Sequence, residues 1–348
     1  MSKDSVNYES TFNTLWNIEG AQNLAEVPIL LKGRPGIGKT AMVEWLGNKL
    51  NMDVATVVVA DSDPCDISGV WTTSDDNKSA LRLPPGKLVH DKPIIIFLDE
   101  FTAGSPEQMA AAAKLTDGSR MVGDYKIHPE SMIVAAINPD NAIGAASKIA
   151  APLLSRFRHL DVGPEQAVSW MCTQEGILGV VGAWLTQYPD CAIDNDDIIA
   201  DCVDKIKPFA CPRTWTRAAR QYPNPEQFER WYEFVGASAA KFVDFYDGYA
   251  ANVPSPEEIL KNGSTRIPGR DDLVHVCGVA AASRCETDED VVNMFRWIKA
   301  AGKAGKIGSV RVAAQTARDI AKAKCPKLYS NLDWEPNVII HEMFAHLV

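Results

Sequence analysis

Between an apolar run, Pro28-Ile-Leu-Leu-Lys32, and a run over Thr40–Leu50 with Met42, Val43, Leu46 and Leu50 at helical spacing, the chain carries Gly33-Arg34-Pro35-Gly36-Ile37-Gly38-Lys39-Thr40. No other stretch constrains the fold as much. The string fits G-x-x-x-x-G-K-[ST], a loop whose glycines let backbone N–H groups curl around a phosphate. The following helix points its positive end at the anion, Lys39 neutralises charge, and Thr40 offers a hydroxyl to Mg²⁺. From average composition, a chance match in a chain of this length occurs on the order of 1% of the time. With an apolar strand before it and a helix after it, the loop predicts a nucleotide site.

A second strand candidate, Ile94-Ile-Ile-Phe-Leu98, runs directly into Asp99-Glu100. Beside a phosphate loop, Asp99 suits a Mg²⁺ shell and Glu100 suits orienting and polarising an attacking water. A kinase of small molecules needs no such carboxylate, because its nucleophile is the substrate. The adjacent glutamate therefore directs the expectation from phosphotransfer to hydrolysis. Val54–Ala60 and Met132–Ile137 are further β-rich runs, and apolar strands alternating with helices predict a parallel sheet covered on both faces. From Pro164 onward the pattern is helical. Phe242, Phe245, Tyr246 and Tyr249 form one i, i+3, i+4, i+7 stripe and Val291, Met294, Phe295 and Ile298 another, both read as core packing. Asn252–Pro256 is expected to be a boundary, Lys261–Arg270 an exposed loop, and Ala301–Ser309 a flexible connector.

Taken together, the chain resembles the AAA+ ATPases of the MoxR and dynein-related (AAA_5) branch. The elements are the phosphate loop, Asp99-Glu100, Pro64-Cys-Asp-Ile-Ser-Gly69, Pro84-Pro-Gly-Lys-Leu88, Arg120-Met-Val-Gly-Asp-Tyr-Lys126, Ile133-Val-Ala-Ala-Ile-Asn138-Pro139 and Leu153-Leu-Ser-Arg-Phe157. They cover roughly residues 25–160 at motif level. Ser155 stands where the family commonly carries Asp, and in the second proline element the glycine follows the prolines. The implied fold is α/β: a P-loop NTPase αβα core with a parallel sheet over residues 1–160, carrying a hairpin insertion at about 66–88. An all-helical lid over 161–253 follows, then a C-terminal helical region over 254–348 that extends or completes it.

The resemblance also implies roles. Asn138 would be the polar sensor of the γ-phosphate or lytic water, although an Asn before Pro139 also reads as a turn former. Arg156 would be the finger that stabilises charge in a neighbouring copy's site, with Arg158 competing for that role; an extended chain here would turn both to one face. Cys211-Pro212-Arg213 reads as a helix start with Pro212 at its first position. It is similar to the family's second sensor, so Arg213 would reach the nucleotide of its own subunit. Trp71 in the 66–88 insertion is expected either to grip a substrate or to pack on its own domain. ATP and Mg²⁺ (on Thr40 and Asp99) are the implied ligands, and a homo-hexameric ring that remodels or matures a partner protein, often of the von Willebrand A type, is the implied assembly.

Composition narrows the alternatives. With 35 basic and 45 acidic residues, net −10, the chain is poorly suited to non-specific nucleic-acid binding. That weighs against a nucleic-acid motor or restriction-like NTPase subunit. A nucleotide-gated scaffold of low turnover is the other alternative, and Glu100 and Arg156 weigh against it. The eight cysteines are scattered without a C-x-x-C pair and read as reduced packing residues. No apolar run approaches the 18 or so residues of a membrane span, and the N-terminal MSKDSVNYESTF lacks the apolar core of a secretory signal. The expected location is the cytoplasm, with no membrane partner.

Overall fold

The computed structural model describes residues 25, 27–75, 78–138, 149–172, 174, 176–250, 253–262 and 266–303. Farther on it describes 310, 313–315, 317, 318, 321, 325, 331 and 333–344. The N-terminal MSKDSVNYESTF, Asn77, Pro139, Asn252, the side chain of Tyr249, residues 263–265 and residues 304–309 lie outside this set. The chain divides into two compact units, Met1–Gly163 and Pro164–Val348.

The first unit is built on a five-stranded, all-parallel sheet. Its elements are β1 (Ile29–Lys32), α1 (Lys39–Leu50), β2 (Asp53–Val58), α2 (Pro64–Ser68), β3 (Val70–Thr73), β4 (Ala80–Leu83), β5 (Ile94–Asp99), α3 (Pro106–Ala113), β6 (Met121–Val122), β7 (Tyr125–Lys126), β8 (Met132–Ile137), α4 (Ala151–Leu154) and β9 (Arg158–Asp161). The sheet order is β2-β5-β8-β1-β9. The run expected as a strand over Val54–Ala60 stops at Val58, where Val59–Asp61 tightens into a 3₁₀ turn.

Burial explains why these runs are strands. Ile94, Ile96 and Leu98 point to one face, where they join Leu30, Ile133 and Ala135 and meet Ile67, Met109, Leu115 and Phe157. The opposite face, with Ile95 and Phe97 fully buried, is covered by α1, which lies over β2, β5 and β8. A strand buried on both faces has no polar side, hence the continuous apolar runs. Each such side chain contributes about 1.5–3 kcal/mol when removed from water. Helix α3 begins at a capping box: Ser105 Oγ accepts from Gln108 N at 3.3 Å, and Ser105 N donates to Gln108 Oε1 at 2.6 Å.

Two antiparallel hairpins stand off the sheet, β3–β4 and β6–β7. They are fastened to each other through Arg82, whose N donates to Asp124 Oδ2 at 2.5 Å while its O accepts from Asp124 N at 2.9 Å. Arg82 also donates from Nη2 to Ser68 Oγ and from Nε to Gly69 O.

The second unit is helical: α5 (Glu165–Cys172), α6 (Gly176–Gln187), α7 (Asp196–Asp204), α8 (Pro212–Gln221), α9 (Tyr232–Val235), α10 (Ser238–Ala250), α11 (Pro256–Asn262), α12 (Asp271–Arg284), α13 (Asp288–Lys303) and α14 (Glu335–Phe344). One hydrophobic cluster runs through it from Val168 to Ile340, so helices before and after residue 254 share a core. Its centre is aromatic: Trp231 stacks on Phe242 at 4.9 Å with rings 5° apart, and Trp184 meets Trp215 edge-on at 5.5 Å. Trp215 Nε1 donates to Cys191 O at 2.9 Å, which satisfies the one polar atom of a buried ring. The expected connector at Ala301–Ser309 is corrected for its first residues. Ala301 is buried and Ala301–Lys303 complete α13, because Val291, Met294 and Ile298 carry the apolar stripe on to it. Lys261 likewise belongs to α11 rather than to a loop, and Pro268 is buried. Among the described residues no helix is long and apolar enough to cross a membrane.

Candidate active site

Parallel pairing brings three C-terminal strand ends together, since β8 lies between β1 and β5. The segments that leave these ends are Gly33–Gly38 after β1, Asp99-Glu100 at β5 and Asn138 after β8. In open α/β sheets this edge is where ligands bind.

The loop is held by its strand and shaped by glycine. Gly33 N donates to Ile137 O at 3.2 Å, continuing the β1–β8 pairing by one residue. Gly36 and Gly38 have φ of 80° and 97°, in the left-handed region that side-chain-bearing residues avoid. Those turns aim the loop at the start of α1, where Gly38 is the N-cap and no side chain caps the helix. The first-turn N–H groups of a helix attract an anion, and this loop has the shape of a phosphate cradle.

Lys39 is buried, with its ammonium donating to Gly33 O at 2.6 Å, Arg34 O at 3.2 Å and Asn138 Oδ1 at 2.9 Å. Thr40 Oγ1 donates to Asp99 Oδ2 at 2.9 Å, and Glu100 N donates to Asp99 Oδ1 at 2.9 Å. A hydroxyl paired with a carboxylate is a set of hard oxygen donors, the kind that Mg²⁺ prefers, so these two residues fit that ion. Glu100 is exposed and held at φ 50°, ψ 39°, a left-handed conformation unusual for glutamate. The backbone turns into the 3₁₀ segment Phe101–Ala103 there, with Ala103 N donating to Glu100 O at 2.9 Å. Phe101 is fully buried against Phe157, ring centroids 6.0 Å apart, and this anchor stabilises the strained turn.

A match to a family model falls on this unit. Residues 28–157 match the model of the AAA domain of the dynein-related subfamily. Residues 28–157 are an AAA domain. The first unit thus carries the domain of a family of ATPases that bind nucleotide and commonly assemble into oligomeric rings. Among solved structures the chain is similar to a candidate ATPase from Cytophaga hutchinsonii, at 13% identity and TM-score 0.34, over 90% of this chain and 80% of that one. It is also similar to a lysine-to-arginine variant of RuvB from Thermotoga maritima, at 13% identity and TM-score 0.39, over 73% of this chain and 75% of that one. Likenesses this loose carry no functional argument. No curated protein matches the sequence.

Within the AAA domain, Arg156 lies apart from the strand-end cluster. It is exposed in the turn after α4, and its Nη1 donates to Ala113 O at 3.0 Å. The stretch is not extended: Arg158 opens β9 and its N donates to Pro28 O at 2.8 Å, so the two arginines are not an i, i+2 pair on one strand face. Arg156 faces a groove of about 470 Å³ that Asp117 and Arg120 also line. Burial pulls the Asp117 carboxyl up, but hydrogen bonds from Ser119 and the Arg120 backbone, and the Arg156 charge, outweigh it and hold the group below its usual range. In the second unit, Arg213 is exposed in the first turn of α8, after a capping box between Cys211 and Thr214. Trp71 is 65% exposed, with the Arg82 guanidinium over its ring at 5.5 Å.

Two residues have structural tasks that motif reading missed. Arg120, read only as the start of a hairpin, is half-buried, and its guanidinium donates to Ala25 O and Ser131 O, tying the start of β8 to the segment before β1. Gln108 donates to Ala60 O and Ser62 O, fastening α3 to the 3₁₀ turn that follows β2. The Ser105-Pro-Glu-Gln108 capping signature was the available signal for the second.

Proposed function

We propose that the chain is a MoxR-like ring ATPase, a homo-hexamer that couples ATP hydrolysis to remodelling or maturing a partner protein. The observation that carries the hydrolytic part is Glu100 directly after the Thr40–Asp99 pair, at the end of the strand two places from the phosphate loop's own. In this reading Gly33, Arg34, Pro35, Gly36, Ile37, Gly38 and Lys39 wrap the phosphates. Mg²⁺ held by Thr40 and Asp99 would neutralise charge between the β- and γ-phosphates. Glu100 takes a proton from the attacking water and orients it. Asn138, already bonded to Lys39, positions that water or the γ-phosphate. Arg156 of a neighbouring copy stabilises the charge that grows on the transferred group. Arg213 responds to the nucleotide of its own chain. The von Willebrand A-type partner and the MoxR assignment rest on the motif resemblance.

A mixing experiment tests the shared site. Lys39→Ala and Arg156→Ala are each expected to be inactive alone. Mixed in equal amounts they should regain turnover at about a quarter of the interfaces, those pairing an intact loop with an intact finger. Assembly of both variants with no recovery overturns the finger role. Native mass measurement with an ATP analogue reads the subunit number, and six is the expected value. An AAA+ ATPase of full activity after Glu100→Gln would overturn the catalytic assignment. For the partner, the readout is an ATP-dependent change in a co-purified von Willebrand A-type protein, absent with Glu100→Gln.

A further inference from the structure

Helix α7 in the second unit has no buried residue. At about 100° per residue, Ile198, Ile199, Cys202 and Val203 share an arc of about 140°, and the aspartates at 196, 197, 201 and 204 occupy the rest. An amphipathic helix of this kind ordinarily lays its apolar arc on a core. Here Ile198 and Val203 are 45% and 46% exposed. The helix is well formed nonetheless. Asn195 Oδ1 accepts from Ile198 N at 2.9 Å at its start, and Lys205 is paired with Asp201 at 2.5 Å near its end.

Its C-terminus holds a second anomaly. Lys207 N donates to Cys202 O at 2.7 Å and Ile206 N to Val203 O at 3.2 Å, the double bond pattern of a Schellman motif. The residue between, Ile206, has φ 53° and is 95% exposed. Glycine is usual at that position, and a β-branched side chain with positive φ is a genuine outlier. A large apolar group is thus kept, against backbone preference, where it is almost wholly exposed. It follows Val203 by three residues, just past the helix end, and the aspartates flank the helix's apolar arc, Asp201 paired with Lys205 and Asp196 and Asp204 on either side.

We propose that this face, Ile198, Val203 and Ile206 within a rim of Asp196, Asp201 and Asp204, is a docking site for a basic amphipathic segment of another protein. The apolar stripe supplies contact area and the acidic rim selects a partner of opposite charge. The proposal stands independently of the nucleotide site.

The probe is a fluorescent amphipathic peptide of leucine and lysine, about 18 residues long so that it can hold a helix, with a twin carrying glutamate for lysine. Titrated with the full chain and followed by anisotropy, the basic peptide should bind at least tenfold more tightly than the acidic twin. Ile206→Gly should weaken binding about fivefold through lost apolar contact, while raising the denaturation midpoint, because glycine suits the left-handed position. A residue with a purely structural role would not show that opposed pair of effects. Asp201→Lys with Asp204→Lys should reverse the peptide preference. Equal binding of both peptides, binding of neither, or an unchanged affinity in Ile206→Gly overturns the proposal. So does a self-association of the wild-type chain that Ile206→Gly abolishes, which would assign the face to a second copy.

Discussion

Lys39 Nζ and Asn138 Oδ1 stand 2.9 Å apart across ninety-nine residues of sequence. The bond joins the phosphate loop to the end of the neighbouring strand, so the cation and the amide are placed as one unit. Hydrogen bonds to a charged group are each worth about 1.5–3 kcal/mol. Lys39→Met is therefore expected to weaken nucleotide binding by about 10–100-fold, read by titration with a fluorescent ATP analogue. Asn138→Asp should also weaken it, because a carboxylate there pairs with Lys39 and repels phosphate.

Glu100 separates catalysis from conformational strain. Glu100→Gln should lower steady-state hydrolysis by about 100-fold or more, the usual range for a lost general base, while nucleotide affinity is retained. Glu100→Gly should lose hydrolysis equally but raise unfolding stability by about 1 kcal/mol, since glycine adopts φ 50° freely. Denaturant unfolding of the three proteins side by side reads the difference.

Gly123 has φ 58°, and a Cβ there would overlap the carbonyl of Arg82. Gly123→Ala should destabilise the first unit by about 2 kcal/mol, combining a left-handed alanine with a backbone clash. Calorimetry should show a Tm lower by several degrees, and hydrogen exchange should speed up in β3–β4, the hairpin that Arg82 fastens.

His275 confers acid sensitivity on the helical unit. It is buried, and its Nε2 lies 3.1 Å from Thr186 Oγ1, whose own proton goes to Ala183 O; among the described residues Nδ1 has no partner. Protonation would place an unpaired donor in the core, and burial pushes the pKa down from 6.5 to about 4. The depressed value means stability is complete above pH 6.5 and is lost as the pH falls through 6.5 towards 4. At pH 5 the loss is about 2 kcal/mol. Urea unfolding at pH 7.5 and 5 should show that difference for the wild type beyond whatever remains in His275→Gln.

The chain shows which parts of an architecture are local. Strand β5 and the helix after Gly38 were legible because a fully apolar run and a loop of fixed spacing are properties of adjacent residues. A hairpin within 66–88 was expected from the family resemblance, and β3–β4 falls there. The contact between Lys39 and Asn138 was beyond direct reading, since it depends on which strand lies beside β1. The end of β2 at Val58 and the helical state of Ala301–Lys303 were misread where tertiary burial outweighed local pattern. Nothing in the string Asp99-Glu100-Phe101 signals the left-handed turn at Glu100; the buried Phe101 imposes it. Ile206 was equally silent, because its backbone is set by a helix end that sequence periodicity locates only to within a residue or two.

The sheet order also dictates a timetable for synthesis. Strand β1 pairs only with β8 and β9, whereas β2 and β5 can pair with each other much earlier. A nascent chain that has emerged only as far as β7 therefore holds a complete phosphate loop on a strand with no neighbour. Contacts of such long sequence separation form late, so nucleotide cannot assist folding from the N-terminal side. Its binding rewards only a chain that has already delivered Asn138.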